Sequence, residues 1–185
     1  ASGITDSGTV TVGGNLAATT DDNSGVIDMG TLAVAGTVAL ATHGTGSATI
    51  DNGTANLDLA ASSVGGNLTL TSGNASGITD SGTVTVGGNL AATTDDNSGV
   101  IDMGTLAVAG TVALTTHGTG NATIDNGTAN LDLAASSVGG NLTLTSGAAA
   151  GITDSGTVTV GGNLAATTDA NNGVINLGTL AVDGT

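Results

Sequence analysis

The chain of 185 residues contains no lysine, arginine, proline, cysteine, phenylalanine, tyrosine, tryptophan, glutamate or glutamine. Each absence removes a class of function. A chain without cations has nothing to neutralise phosphates, which excludes ordinary nucleic-acid binding. An anionic membrane surface repels it for the same reason. Without cysteine there are no disulfides, thiolate metal sites or thiol chemistry. Without aromatics there is no platform for stacking sugars or bases, and any core must be built from small aliphatic side chains. The catalytic inventory is almost empty. Paired aspartates are the one hydrolytic arrangement left, with nothing beside them to hold a sugar, so the expectation is no enzyme. No apolar run reaches the 18 or so residues of a membrane helix, and no charged segment followed by an apolar stretch marks a signal peptide. The chain opens on Ala1 and reads as a window of a longer protein.

What is present is Gly (33 residues), Ala, Thr, Val, Leu, Asn and 15 Asp, for a net charge of −15. Such sparse charge and positive mean hydropathy argue against disorder. Repetition supplies the order. Residues 1–74 recur as 75–148 with only Ala41/Thr115, Ser47/Asn121 and Asn74/Ala148 changed, and a third copy occupies 149–185. We read these as two full copies and one partial copy of a continuous array, with three turns to a full copy. Within a copy, Thr9-Val10-Thr11-Val12-Gly13-Gly14-Asn15-Leu16 returns in degraded form from Thr31 and again as Ser63-Val64-Gly65-Gly66-Asn67-Leu68. An Ile-Asx element precedes each phrase. Ile4, Ile27, Ile50, Ile78, Ile101, Ile124, Ile152 and Ile175 are therefore expected to pile in one core column, with turns of 23–28 residues.

Apolar and small polar residues alternate with period two, at Val10 and Val12 or Leu68 and Leu70, which is the pattern of half-buried strands. Gly13-Gly14-Asn15, Gly65-Gly66-Asn67 and Gly87-Gly88-Asn89 are turn formers between them. No window carries a helical period. Short strands with one apolar side are not stable alone, but stacking turn on turn buries that side continuously. The expected fold is all-β: a right-handed parallel β-helix (β-solenoid) of about eight turns, a rod of roughly 38 Å at the usual strand spacing. An antiparallel sandwich is the alternative, and it leaves the copied phrases unexplained.

These same phrases, Thr-Val-Thr-Val-Gly-Gly-Asn-Leu and Asn-Leu-Thr-Leu-Thr-Ser-Gly, resemble the repeats of filamentous haemagglutinin-like proteins and of giant β-strand-repeat bacterial surface proteins. The resemblance runs over essentially the whole chain. It implies a β-helical shaft, exported and displayed as a fibre at a bacterial surface. The N-terminal secretion domain of that family is not in this sequence, and the lack of Lys and Arg departs from its typical members.

Four candidate features follow from the residues. Stacked Ile-Asx elements would place Asp28 over Asp51 and Asp102 over Asp125. Carboxylates 4.8 Å apart repel by about 0.9 kcal/mol in water and about 3.5 at an effective dielectric of 20. Ca²⁺, protonation or hydration would relieve this, though a solvated acidic stripe is the plainer expectation and no cofactor is required. His43 and His117, three turns and about 14 Å apart on this reading, are too distant to share a metal and read as turn residues. Asn15, Asn67, Asn89, Asn141 and Asn163, with Thr37 and Thr111 in the same slot, are expected to form side-chain ladders along the axis. Asn52, Asn67 and Asn121 open N-x-Thr sequons that arise by chance in a Thr-rich chain. The function these features suggest is a structural shaft, a rigid acidic spacer or fibre that is secreted or on the cell surface. Its partners would be further copies of itself or flanking coils end to end. Two alternatives stay open: an ice- or mineral-binding solenoid using Thr ranks such as Thr9/Thr11 and Thr69/Thr71, and an adhesin that meets its receptor directly.

Overall fold

The computed structural model describes residues 3–185; Ala1 and Ser2, which open the first copy, lie outside the described residues. Every element is a strand of two to five residues, with no helix among the described residues. All strand pairs are parallel. They form a 12-stranded sheet, an 11-stranded sheet and a two-stranded sheet of Val10–Val12 with Leu32–Val34. The chain winds between the two large sheets for about eight turns, a β-solenoid.

The period-two pattern fixes what each strand buries. In Leu68–Ser72 the residues Leu68, Leu70 and Ser72 point inward and are fully buried, while Thr69 and Thr71 face out. Val34, Val38, Ile50, Leu57 and Leu59 are likewise fully buried, and Met29 and Met103 are the only non-branched long side chains among them. Each such aliphatic side chain contributes about 1.5–3 kcal/mol on leaving water. A turn covered above and below therefore seals a thin core without any aromatic ring.

Two kinds of flank build the turns. A straight flank is a single strand of four or five residues, such as Thr37–Ala41 or Leu68–Ser72. A bent flank is a pair of short strands separated by a kink, such as Ile27–Met29 with Leu32–Val34, or Leu57–Leu59 with Ser62–Val64. Along one 74-residue copy the order is bent, straight, bent, straight, straight, bent, straight. Seven flanks make three and a half turns, so the expected three turns per copy is corrected. The odd count has a direct effect. Ile4–Thr5 lies in the 12-stranded sheet, its copy Ile78–Asp80 in the 11-stranded sheet, and its third copy Ile152–Asp154 back in the first. Successive copies face opposite sides of the rod.

The isoleucine column is broken for a related reason. Ile4 lies opposite Ile27, Ile78 opposite Ile101, and Ile152 opposite Ile175. Ile27, however, lies opposite Ala48, and Ile50 pairs with Met29 below and Leu70 above. Ile124 similarly lies opposite Met103 and Leu144. Paired residues are 20 to 23 positions apart, as in Ala48 with Leu68 and Ile4 with Ile27, rather than 23–28. A slip of two residues keeps the same side chains inward, so facing direction fixes the register and identity does not.

Candidate functional site

The two-residue slip reorganises the acidic residues. Asp28 lies opposite Thr5 and Thr49, not Asp51; Asp102 lies opposite Thr79 and Thr123, not Asp125. Asp51 and Asp125 face Thr71 and Thr145 above, and each carboxylate accepts the amide of a following glycine, Gly53 or Gly127, at 2.8 Å. Threonines thus separate carboxylates that a strict stack would have set in contact. Among the described residues no three His, Cys, Asp or Glu side chains gather as a metal-binding group.

A different set of aspartates clamps turn to turn. Asp6 accepts hydrogen bonds from the amides of Gly30 and Thr31 and from the Thr31 hydroxyl, the last at 2.8 Å. Asp80 does the same with Gly104 and Thr105, and Asp154 with Gly178 and Thr179. The clamp fixes the kink of the bent flank in the turn above. The Thr31 and Thr179 hydroxyls, aided by these amides, hold the Asp6 and Asp154 carboxyls below their ordinary value.

The asparagine slots do link neighbouring turns, through backbone rather than amide-to-amide bonds. Oδ1 of Asn15, Asn67, Asn89, Asn141 and Asn163 accepts the N–H of Thr37, Asn89, Thr111, Asn163 and Thr185 in the next turn at 2.8–3.0 Å. His43 and His117 sit in exposed loops after straight flanks on opposite sheets. Their Nδ1 atoms donate to the carbonyls of Thr20 and Thr94 at 2.6 and 2.7 Å.

The most distinctive chemistry lies where flank types change in a stack. The straight strand Thr37–Ala41 is covered by the bent pair Leu57–Leu59 and Ser62–Val64, with pairing only at Thr37–Asp58, Val38–Leu59 and Ala41–Ser63. The stranded Leu40 amide donates instead to Ser62 Oγ at 3.0 Å, and that hydroxyl donates to the Ala60 carbonyl at 2.8 Å. Ser136 repeats this for Leu114 and Ala134. On the opposite side the change runs the other way. Ala48–Asp51 covers Ile27–Met29 but leaves Leu32–Val34 without a strand above. The fully buried Asn52 fills the gap. Its Oδ1 accepts the Val34 amide at 2.8 Å, and its Nδ2 donates to the carbonyls of Val34 and Asn56 at 3.1 and 2.6 Å. Asn126 does the same for Val108 and Asn130. Gly53 and Gly127 follow with φ of +56° and +54°, a left-handed step that turns the chain away.

Two further features mark these seams. An open niche of about 410 Å³ lies beside the Asn52 plug, lined in part by Thr31, Leu32, Asp51, Gly53 and Thr54. Asp58 and Asp132, at the straight-to-bent change, each carry a buried Oδ1 with no hydrogen-bond partner. Sequence reasoning missed the plugs because Asp-Asn-Gly reads as a turn and Asn52-Gly53-Thr54 as a sequon. It also missed a rank of outward hydroxyls, Thr71, Thr93, Thr115, Ser137 and Thr159, aligned over five consecutive turns of the 12-stranded sheet. The neighbouring rank, Thr49, Thr69, Ala91 and Ala113, loses its hydroxyls halfway.

Comparison with known proteins gives one match. Residues 45–97 and 119–185 fit the model of a family described as repeats of unknown function (DUF5649). No curated protein and no solved structure matches the chain.

Proposed function

The chain belongs to the DUF5649 repeats, and on that premise we propose that it is a structural shaft: a rigid, acidic spacer in a secreted or surface-displayed bacterial filament of the filamentous haemagglutinin-like kind. The observation that carries this reading is the unbroken stack from Ile4 to Val182, in which every turn rests on the one before. Such a stack converts chain length into axial length at about 4.8 Å per turn. The charge of −15 keeps neighbouring rods apart at low salt. With no Lys or Arg, the chain offers trypsin no site. In this reading the rod performs no catalysis and binds no cofactor. Its partners are further turns, its own or flanking, stacked end to end.

Electron microscopy of native surface material, with gold-labelled antibody against the repeat, tests the proposal. Label spaced along thin filaments outside the cell supports it; label confined to the cytoplasm overturns it. A second reading, a solenoid that binds ice or a mineral lattice, draws on the Thr71–Thr159 hydroxyl rank. Thermal hysteresis in a cooled droplet decides that reading, and the interrupted neighbouring rank weighs against it.

A further inference from the structure

We propose that the seams are built-in breaking planes, so that under load the rod yields in blocks of 74 residues instead of peeling turn by turn. The inference stands on seam geometry and holds whether or not the rod serves as a surface shaft.

Four observations meet at the same height. First, ladder pairing falls. Leu68–Ser72 pairs with Leu90–Thr94 at all five positions, whereas Thr37–Ala41 keeps three pairs with the turn above. Second, Leu32–Val34 is paired with Val10–Val12 beneath it but has no strand over it, and on that upper side the Asn52 side chain takes the place of a strand. Third, the niche of about 410 Å³ removes packing beside that plug. Fourth, the buried Oδ1 of Asp58 lies unpartnered there, and a desolvated acceptor without a donor weakens the folded state. The pairing change, the plug and the unpartnered oxygen all recur 74 residues later, at Thr111–Thr115, Asn126 and Asp132. Both flanks change type at one level, so both ladders that cross the plane are thinned there together, to three pairs from Ile27–Met29 and three from Thr37–Ala41. Within a block every turn sits on its own kind, and breaking one ladder exposes core side chains of the next. Opening therefore starts at a seam and runs to the following one.

Single-molecule stretching of the full chain tests this. Handles attach at Gly8→Cys and Gly178→Cys, where an added side chain meets open space or ordinary contact and no other thiol competes. The expected record contains a step releasing the block between the two seams, roughly 240 Å of contour at about 3.3 Å per residue. Steps of roughly 70 Å, one turn each, overturn the proposal, and so does a single rupture of the whole rod. Asn126→Ala is expected to lower the force of one rupture without changing its length. Hydrogen exchange on the unmodified chain gives a second readout that no variant can spoil. The amides of Val34 and Val108 should exchange at least tenfold faster than those of Leu90–Thr94; equal protection overturns the inference.

Discussion

The middle of a repeat block and its seam use strands of equal length to opposite effect. Between Leu68–Ser72 and Leu90–Thr94 five residues meet five, inward side chains over inward ones (Leu68 and Leu90, Leu70 and Ala92, Ser72 and Thr94) and outward over outward. No polar side chain is needed to complete the ladder between them. Between Thr37–Ala41 and the turn above, the same number of residues meets a kinked pair, and Ser62 must supply an acceptor that the backbone no longer offers. The contrast shows where this sequence needs information. Stacking like on like requires only inward aliphatics. A change of flank type strands backbone groups in a dry interior, where leaving them unpaired costs about 1–3 kcal/mol each, and only a side chain of the right reach can replace the missing strand.

The largest effect should come from inside a block. Leu70→Ala empties a fully buried position and is expected to cost about 2–5 kcal/mol in urea unfolding. A cost under 1 kcal/mol would mean the turns are held by ladders and not by the core. Next, Asn126→Ala deprives both backbone groups of Val108 and the Asn130 carbonyl of partners. It should cost about 2–3 kcal/mol, while the exposed Thr69→Ala stays within about 0.5. Equal costs for these two would erase the distinction between seam and block.

Thr49→Asp sharpens the comparison on the surface. It returns a carboxylate to the slot opposite Asp28, the contact that the two-residue slip avoids. We expect a loss of about 1 kcal/mol or less at low salt, recovered in 1 M NaCl; a loss that persists in salt would point to packing. The smallest effect is acid fraying of the bent flanks. The Asp6 and Asp154 carboxyls titrate below their ordinary value because Thr31 and Thr179 hydrogen-bond the charged form. Their contribution is therefore complete above the ordinary carboxylate range and is lost as pH falls through the lowered folded value. Amides of Gly30 and Gly178 should lose protection below about pH 4 before the Leu68–Ser72 strand does. Simultaneous loss would show that the clamps bear no separate load.

Much of this architecture is legible in the residues. Val10 and Val12, or Leu68 and Leu70, announce strands by their spacing, and copied phrases at turn-length intervals announce stacking. The phase of the winding is not legible. Whether Ile50 lies over Ile27 or over Met29 depends on loop length. The loop after Thr42 is one residue shorter than the loop after Thr20, and a period of two makes the slipped register equally apolar. The isoleucine column and the stacked aspartates of the sequence reading both rested on that phase. Asn52 was hidden differently: its role depends on a strand that ends in the turn beneath it, 18 residues earlier, which no local pattern records. The asparagine slots were visible because each repeats in its own Gly-rich turn, though their partners, backbone amides, were not.

Seven flanks to a copy is an odd number, and arithmetic of that kind reaches the far end of a rod. Inserting or deleting one copy lengthens or shortens it by about 17 Å at the usual strand spacing, and also swings everything beyond the change through half a revolution. Two copies restore the original heading. Tandem duplication in such a gene would therefore tune reach and aim together, with parity deciding which way a distal patch looks.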